Sequence, residues 1–249
     1  MHLKSQMQYK VSFFLTAFGQ FFSSFVVLIG VYFMFLRFNN VDGFTYQQVL
    51  ICYAAILAAV SLAETFGRGF DTFPIMLGNG EFDRVLVRPG SAIFLVLASK
   101  IEFTRFVRLA QSAVVFAYAI PRCGVIWTWD RVVTLCLMVI FGSMIFFDLY
   151  LVQAAFSFFT IEALEFMHIF IDGSNSYGRY PFSIYGKNIL KLLTFVIPVA
   201  LVQYYPLLYL LGMKQSVFYM LTPIISLVFL IPCYIFFRFG LRKYKSTGS

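Results

Sequence analysis

Glu162, Glu165 and His168 stand three residues apart, a spacing that puts them along one helical face, and Glu165-Phe-Met-His168 has the E-x-x-H form used by di-iron bundles. Such a site needs a second E-x-x-H and two further glutamates. The only other histidine is His2, so a charged helix end at a membrane interface is the better account. Acid–base chemistry on a lipid needs ionisable groups that converge near the membrane surface. Asp71, Asp83, Asp148, Glu162 and Asp172 are the candidates, yet no paired spacing recurs among them. Asp148, in IFFDLYL, stands apart as the one acid deep within a long apolar run, where a carboxylate is a functional candidate by default. A proton-driven carrier usually presents several such groups along a path. A buried hydrogen bond or a contact between subunits would serve a single acid equally well. The four cysteines form no CxxC pair or ligand-like cluster. The chain has no G-x-x-x-x-G-K-[ST] phosphate loop and no soluble stretch long enough to fold a nucleotide-binding domain. If ATP drives this protein, another chain binds it.

The elements that must position these residues are set by an apolar composition. Hydrophobic residues make up 61% of the 249 and charged ones only 12%, against about 45–50% and about 25% in soluble domains. One soluble core cannot use that much apolar surface, so the chain reads as an all-α membrane protein. A crossing helix takes about 20 residues, and the apolar runs place six spans at 18–37, 47–66, 107–123, 132–153, 189–212 and 217–238. The first 17 residues mix lysines and glutamines with apolar residues; they read either as a helix lying in the interface or as an extension of the first span.

Six crossings put both termini on one side. Of the 19 basic residues, Arg37, Arg122, Arg131 and Lys214 fall on one face of the membrane and all the others on the opposite face. The positive-inside rule then makes both termini cytoplasmic. The net charge of +8 is thus a topology signal and not a nucleic-acid footprint. Prolines punctuate the last two spans. Pro198 and Pro206 in the fifth each remove a backbone donor and tend to kink the helix, which marks a moving segment in some proteins and an ordinary span in others.

The longest polar region runs from 67 to about 106 and contains GNGEFDRVLVRPGS (78–91). Glycines allow tight turns, Phe82, Val85 and Leu86 form a short apolar strip among Glu81, Asp83, Arg84 and Arg88, and Pro89 closes the element. Such a strip on the inner face suits docking on a soluble protein; a solvated loop with a surface-bound helix is the alternative. Farther on, Glu102 and Arg105 have the spacing of a helical ion pair.

FDRVLVRP resembles the segment after the second span in permeases of ABC-2 type exporters, the six-span group related to daunorubicin-resistance-type permeases. YPFSIYGKNILKLLTFVIPVALVQYYPLLYLLG (180–212) is similar to that group's cytoplasmic YP..IY followed by a span with TFVIP, and GLRKYKSTGS (240–249) to its basic tail. The resemblance implies a single permease domain over 1–249, with an interfacial helix at 1–17, a coupling region at 67–106 and a cytoplasmic tail at 239–249. It implies a second permease, identical or homologous, and two ATP-binding cassette ATPase subunits that bind ATP and Mg, so that this chain holds no cofactor. The coupling element carries over onto Glu81, Phe82, Asp83, Leu86, Arg88 and Pro89, with Gly90-Ser91 standing where the group has a bulkier residue. Export across a prokaryotic cell membrane is the expected function, with drug, lipid, peptide and polysaccharide all compatible. An ion-coupled carrier or an intramembrane lipid-modifying enzyme is the alternative.

Overall fold

The computed structural model describes residues 10–38, 40–160 and 165–245, and over these the secondary structure is helical, without named strands. Four helices are long and apolar enough to cross a membrane: α1 (Lys10–Arg37), α2 (Tyr46–Phe66), α8 (Trp129–Phe156) and the stretch Val217–Lys243. Between α2 and α8 come α3 (Arg68–Asp71), α4 (Phe73–Gly78), α5 (Glu81–Leu86), α6 (Ala92–Ser99) and α7 (Phe106–Ala119). After α8 follow α9 (Glu165–Gly178), α10 (Lys187–Phe195), α11 (Val199–Val202), α12 (Tyr204–Leu210), α13 (Val217–Ile225) and α14 (Leu230–Lys243).

α2 is the central rod. Every residue from Val49 to Ser61 is buried, and its alanines let neighbours approach closely, as small residues do where helices meet in a membrane. A Cβ added at Gly142 of α8 would lie 3.0 Å from the Ala59 Cβ. α1, by contrast, buries only Ala17, Ser24 and Val31, one residue every two turns, and exposes phenylalanines elsewhere. The Tyr53 hydroxyl donates to the Ser24 carbonyl at 2.6 Å and ties the two helices together. At the end of the bundle that carries Tyr46, Asp42 (φ 52°) and Gly43 (φ 82°) turn the chain between Val41 and Phe44, which bridge each other. Trp127 and Tyr209 close the same end by donating to the Ile120 carbonyl (3.1 Å) and the Asp130 carboxylate (2.8 Å).

Several sequence expectations need correction. Of the two readings of residues 1–17, the structure from Lys10 onward has the extension of the first span, since the chain is already in the uninterrupted α1; residues 1–9 lie outside the described set. The expected third span is a helix of 14 residues with 3-10 turns at Phe103–Arg105 and Ile120–Arg122. Residues 239–243 of the expected tail are the helical end of α14, which leaves its location untouched, and 246–249 lie outside the described residues.

The largest departure concerns the fifth span and the stretch before it. α10 and the Val199–Leu210 segment meet at 88°, with Pro198 at the break. The Gln203 interruption between α11 and α12 falls where Pro206 withholds an N–H from the Val202 carbonyl, so the second proline loosens the helix without a separate sharp bend. The stretch before α10, expected on the cytoplasmic side, packs along the bundle. α9 buries Met167, Ile171, Ser174 and Gly178, the Gly178 Cα is so close to Ile56 that an added Cβ would meet its Cδ1 at 2.8 Å, and the Gln203 amide donates to the Tyr180 carbonyl at 3.3 Å. Ile56 lies ten residues before Phe66, so this contact is about 15 Å along α2 from its far end at 1.5 Å per residue. Small and polar residues along α9 hid this packing from a reading based on apolar runs.

Candidate coupling site

The segment from Gly80 to Pro89 forms a short helix with two unlike faces. Gly80 takes a left-handed φ of 69°, which lets the chain leave α4 and start α5 with only Asn79 and Gly80 between them. Glu81 and Asp83 in the first turn complement the partial positive charge of the helix start. On the inner face Phe82 is 0% exposed. Its ring meets Phe73, Tyr244 and Phe158 edge-on with centroids 4.9, 5.2 and 5.7 Å apart, favourable aromatic geometry. The Tyr244 hydroxyl also donates to the Asp83 carboxylate at 3.0 Å. The residue that follows the last helix therefore clasps α5 by ring and hydroxyl together.

The outer face is presented to the surroundings. Glu81, Arg84, Arg88, Pro89 and Gly90 are exposed, as are Leu86 (43%) and Val87 (84%). The Arg88 N–H bonds to the Val85 carbonyl at 3.2 Å, after which Pro89 and Gly90 (φ 138°) end the element before Ser91 opens α6. A half-open groove of about 350 Å³ runs between α5 and α6, lined by Met76, Glu81, Arg84, Val85, Arg88 and Ser99. An apolar tip ringed by charges of both signs is the composition of a protein interface, with an apolar centre and a polar rim.

Behind this element lies an ion network. Arg68 pairs with Asp71 and lies 3.7 Å from Glu102; the Thr104 hydroxyl donates to Glu102 at 2.9 Å, and the Glu102 N–H donates to the Thr65 carbonyl at 3.0 Å. Arg105 and Arg108 both reach the Glu64 carboxylate, at 3.0 and 2.9 Å, and Arg105 also donates to Gln20 at 2.8 Å. The expected helical pair of Glu102 with Arg105 does not form, because α7 begins only at Phe106 and each residue finds its partner on another segment. α3 and α6 cross with their backbones touching: a Cβ on Gly69 would come within 2.0 Å of the Val96 carbonyl oxygen. Displacing α5 thus pulls on the end of α14 through Tyr244, while Arg105 and Arg108 tie the far end of the same loop to α1 and α2 through Gln20 and Glu64.

Of the sequence candidates, Glu81, Leu86, Arg88 and Pro89 lie on the exposed side, whereas Phe82 and Asp83 anchor the element from within. Glu64 and Tyr244 were not singled out. A glutamate in the last turn of an apolar helix, with two arginines three apart in the next, was the available signal for the first. Asp148 is elsewhere, 3% exposed in α8, and the kink residues Pro198 and Pro206 lie in the broken segment. Among the described residues no three of His, Cys, Asp or Glu come together as metal ligands; Glu162 lies outside that set.

A family model described as ABC-2 family transporter protein matches residues 21–248. The chain belongs to the ABC-2 transporter family. No curated protein and no solved structure matches it. As a transmembrane permease of this family it is the membrane part of an ABC transporter, and it carries no nucleotide-binding motif of its own. The permease's exposed short helix α5, held from behind by the rings of Phe73, Phe158 and Tyr244, is its candidate coupling site.

Proposed function

We propose that this permease is one of two transmembrane subunits of an ATP-driven exporter in a prokaryotic cell membrane, seated on two ATPase subunits that bind ATP and Mg. Six crossings follow if α7 is the third and if α9 with α11–α12 makes the fifth from two half-helices. Both termini and residues 67–106 then face the cytoplasm, in keeping with the basic residues there. The short connections 38–45 and 211–216 on the other face leave no dock for a binding protein, which favours export. ATP-driven closure of the ATPases would move α5, and α14 and α2 would follow, so that a cavity between two permeases alternates its exposure.

The observation that carries this reading is the outward apolar tip at Leu86 and Val87 on a helix whose other face is locked by Phe82 and Tyr244. The test is co-purification of ATPase subunits with the full-length permease from native membranes. Arg88→Glu should leave insertion and yield intact and lower the recovered ATPase at least tenfold. Unchanged recovery and unchanged ATP hydrolysis in that variant would overturn the docking assignment.

A further inference from the structure

A second feature lies outside the coupling site. Between α2, α8 and the Val217–Lys243 span is a half-open cleft of about 480 Å³, within the size range of small-molecule sites. Its walls are apolar, and Asp148 lines it. The Asp148 side chain is 97% buried in the sense that only 3% of the residue is exposed, and no hydrogen bond or ion pair reaches it among the described residues. A carboxylate so placed is costly unless it takes up a proton or a cation accompanies it.

Among the described residues that line the cleft, none donates to it. The two hydroxyls in the cleft, Ser143 and Ser226, donate to the Ile140 and Pro223 carbonyls of their own helices at 2.7 and 2.6 Å, so both present only acceptor lone pairs. The polar side chains of the cleft therefore want hydrogen-bond donors and positive charge. Phe66 and Phe147 add ring faces, which attract an ammonium group. The wall at Ser226–Phe229 is a 3-10 turn inside a long helix, a local irregularity that often marks function. Leu62 and Phe66 belong to the last turns of α2, beside the Glu64 network, so the cleft lies near the end of the bundle that holds the coupling site.

We infer that this cleft binds a monocationic amphiphile, an amine on an apolar body that enters from the adjoining leaflet, with the ammonium against Asp148 and the body along Phe147, Leu227 and Leu230. A zwitterionic lipid headgroup is disfavoured because no basic side chain lines the cleft to meet its phosphate. The inference concerns binding alone and does not depend on how the ATPases dock.

The test uses the full-length permease in phosphatidylcholine nanodiscs with three photoreactive probes that share one dodecyl chain and end in an ammonium, a hydroxyl or a sulfate. The ammonium probe should label residues 143–148 and 226–230 saturably, at least tenfold tighter than the alcohol, with the sulfate weakest. Asp148→Asn, a substitution that keeps the shape, should bring the ammonium probe to the level of the alcohol, and Asp148→Glu should retain most of the preference. Equal labelling by all three probes, a preference that survives Asp148→Asn, or equal competition by phosphatidylethanolamine would overturn the inference. If Asp148→Asn fails to yield folded protein, Ser226→Phe, which fills the cleft and leaves the carboxyl in place, should abolish saturable labelling; full labelling would contradict the site.

Discussion

Glu64→Gln removes the carboxylate that holds two arginines, and its cost can be worked from the geometry. Arg105 and Arg108 lie 3.0 and 2.9 Å from Glu64, and all three side chains are only 15–17% exposed. Arg105 keeps Gln20 as an acceptor at 2.8 Å, whereas Arg108 has no other acceptor among the described residues. Removing one partner from a buried ion pair costs about 3–5 kcal/mol, because the remaining charge is left desolvated. The retained Gln20 bond and the residual exposure place the expected loss near the lower end, about 3 kcal/mol. For a chain of this length that corresponds to roughly 6–12 °C in midpoint temperature. The assay is thermal unfolding followed by a thiol-reactive dye, since Cys52, Cys123 and Cys233 are buried and free; Cys136→Ser removes the one exposed thiol. A double-mutant cycle with Arg108→Gln should show coupling of about 1 kcal/mol or more, because the second substitution removes the orphaned charge. Additive costs, or a shift below about 2 °C for Glu64→Gln, would refute the claim that this network anchors the loop.

Phe82→Ala should cost about 3–5 kcal/mol by emptying a fully enclosed aromatic site, while Val87→Asp should change stability by less than about 0.5 kcal/mol and still abolish ATPase association. Thermal unfolding and co-purification, run side by side, separate the two. Tyr244→Phe keeps the ring contacts and loses the hydrogen bond to Asp83, for an expected loss of about 1.5 kcal/mol. Gly69→Ala forces a Cβ into the Val96 carbonyl oxygen and should lower stability by about 2 kcal/mol, with protease nicking appearing between α3 and α6 in limited proteolysis.

Long, apolar runs gave α1, α2, α8 and the last span away, because 18 or more apolar residues leave few other solutions. The turn chemistry of Gly80 and Pro89 likewise framed α5 to within a residue or two. The sequence pattern did not separate the two faces of that helix: Phe82 and Leu86 are both apolar, and distant partners such as Phe158 and Tyr244 decide which is buried. Glu64 was hidden for a similar reason, since its partners lie 41 and 44 residues on. α9 escaped because its second half buries Ser174 and Gly178 and packs there by closeness of backbone more than by apolar bulk. The break at Pro198 was legible as a break, but its 88° angle depends on the neighbours of both halves.

The central claim, that the tip of α5 touches an ATPase, is tested most directly by a photocrosslinking amino acid placed at Val87 of the full-length permease in native membranes. Irradiation should yield one principal adduct, and mass spectrometry should identify its partner as a nucleotide-binding ATPase subunit. Adducts confined to lipid or to a second copy of the permease would contradict the account.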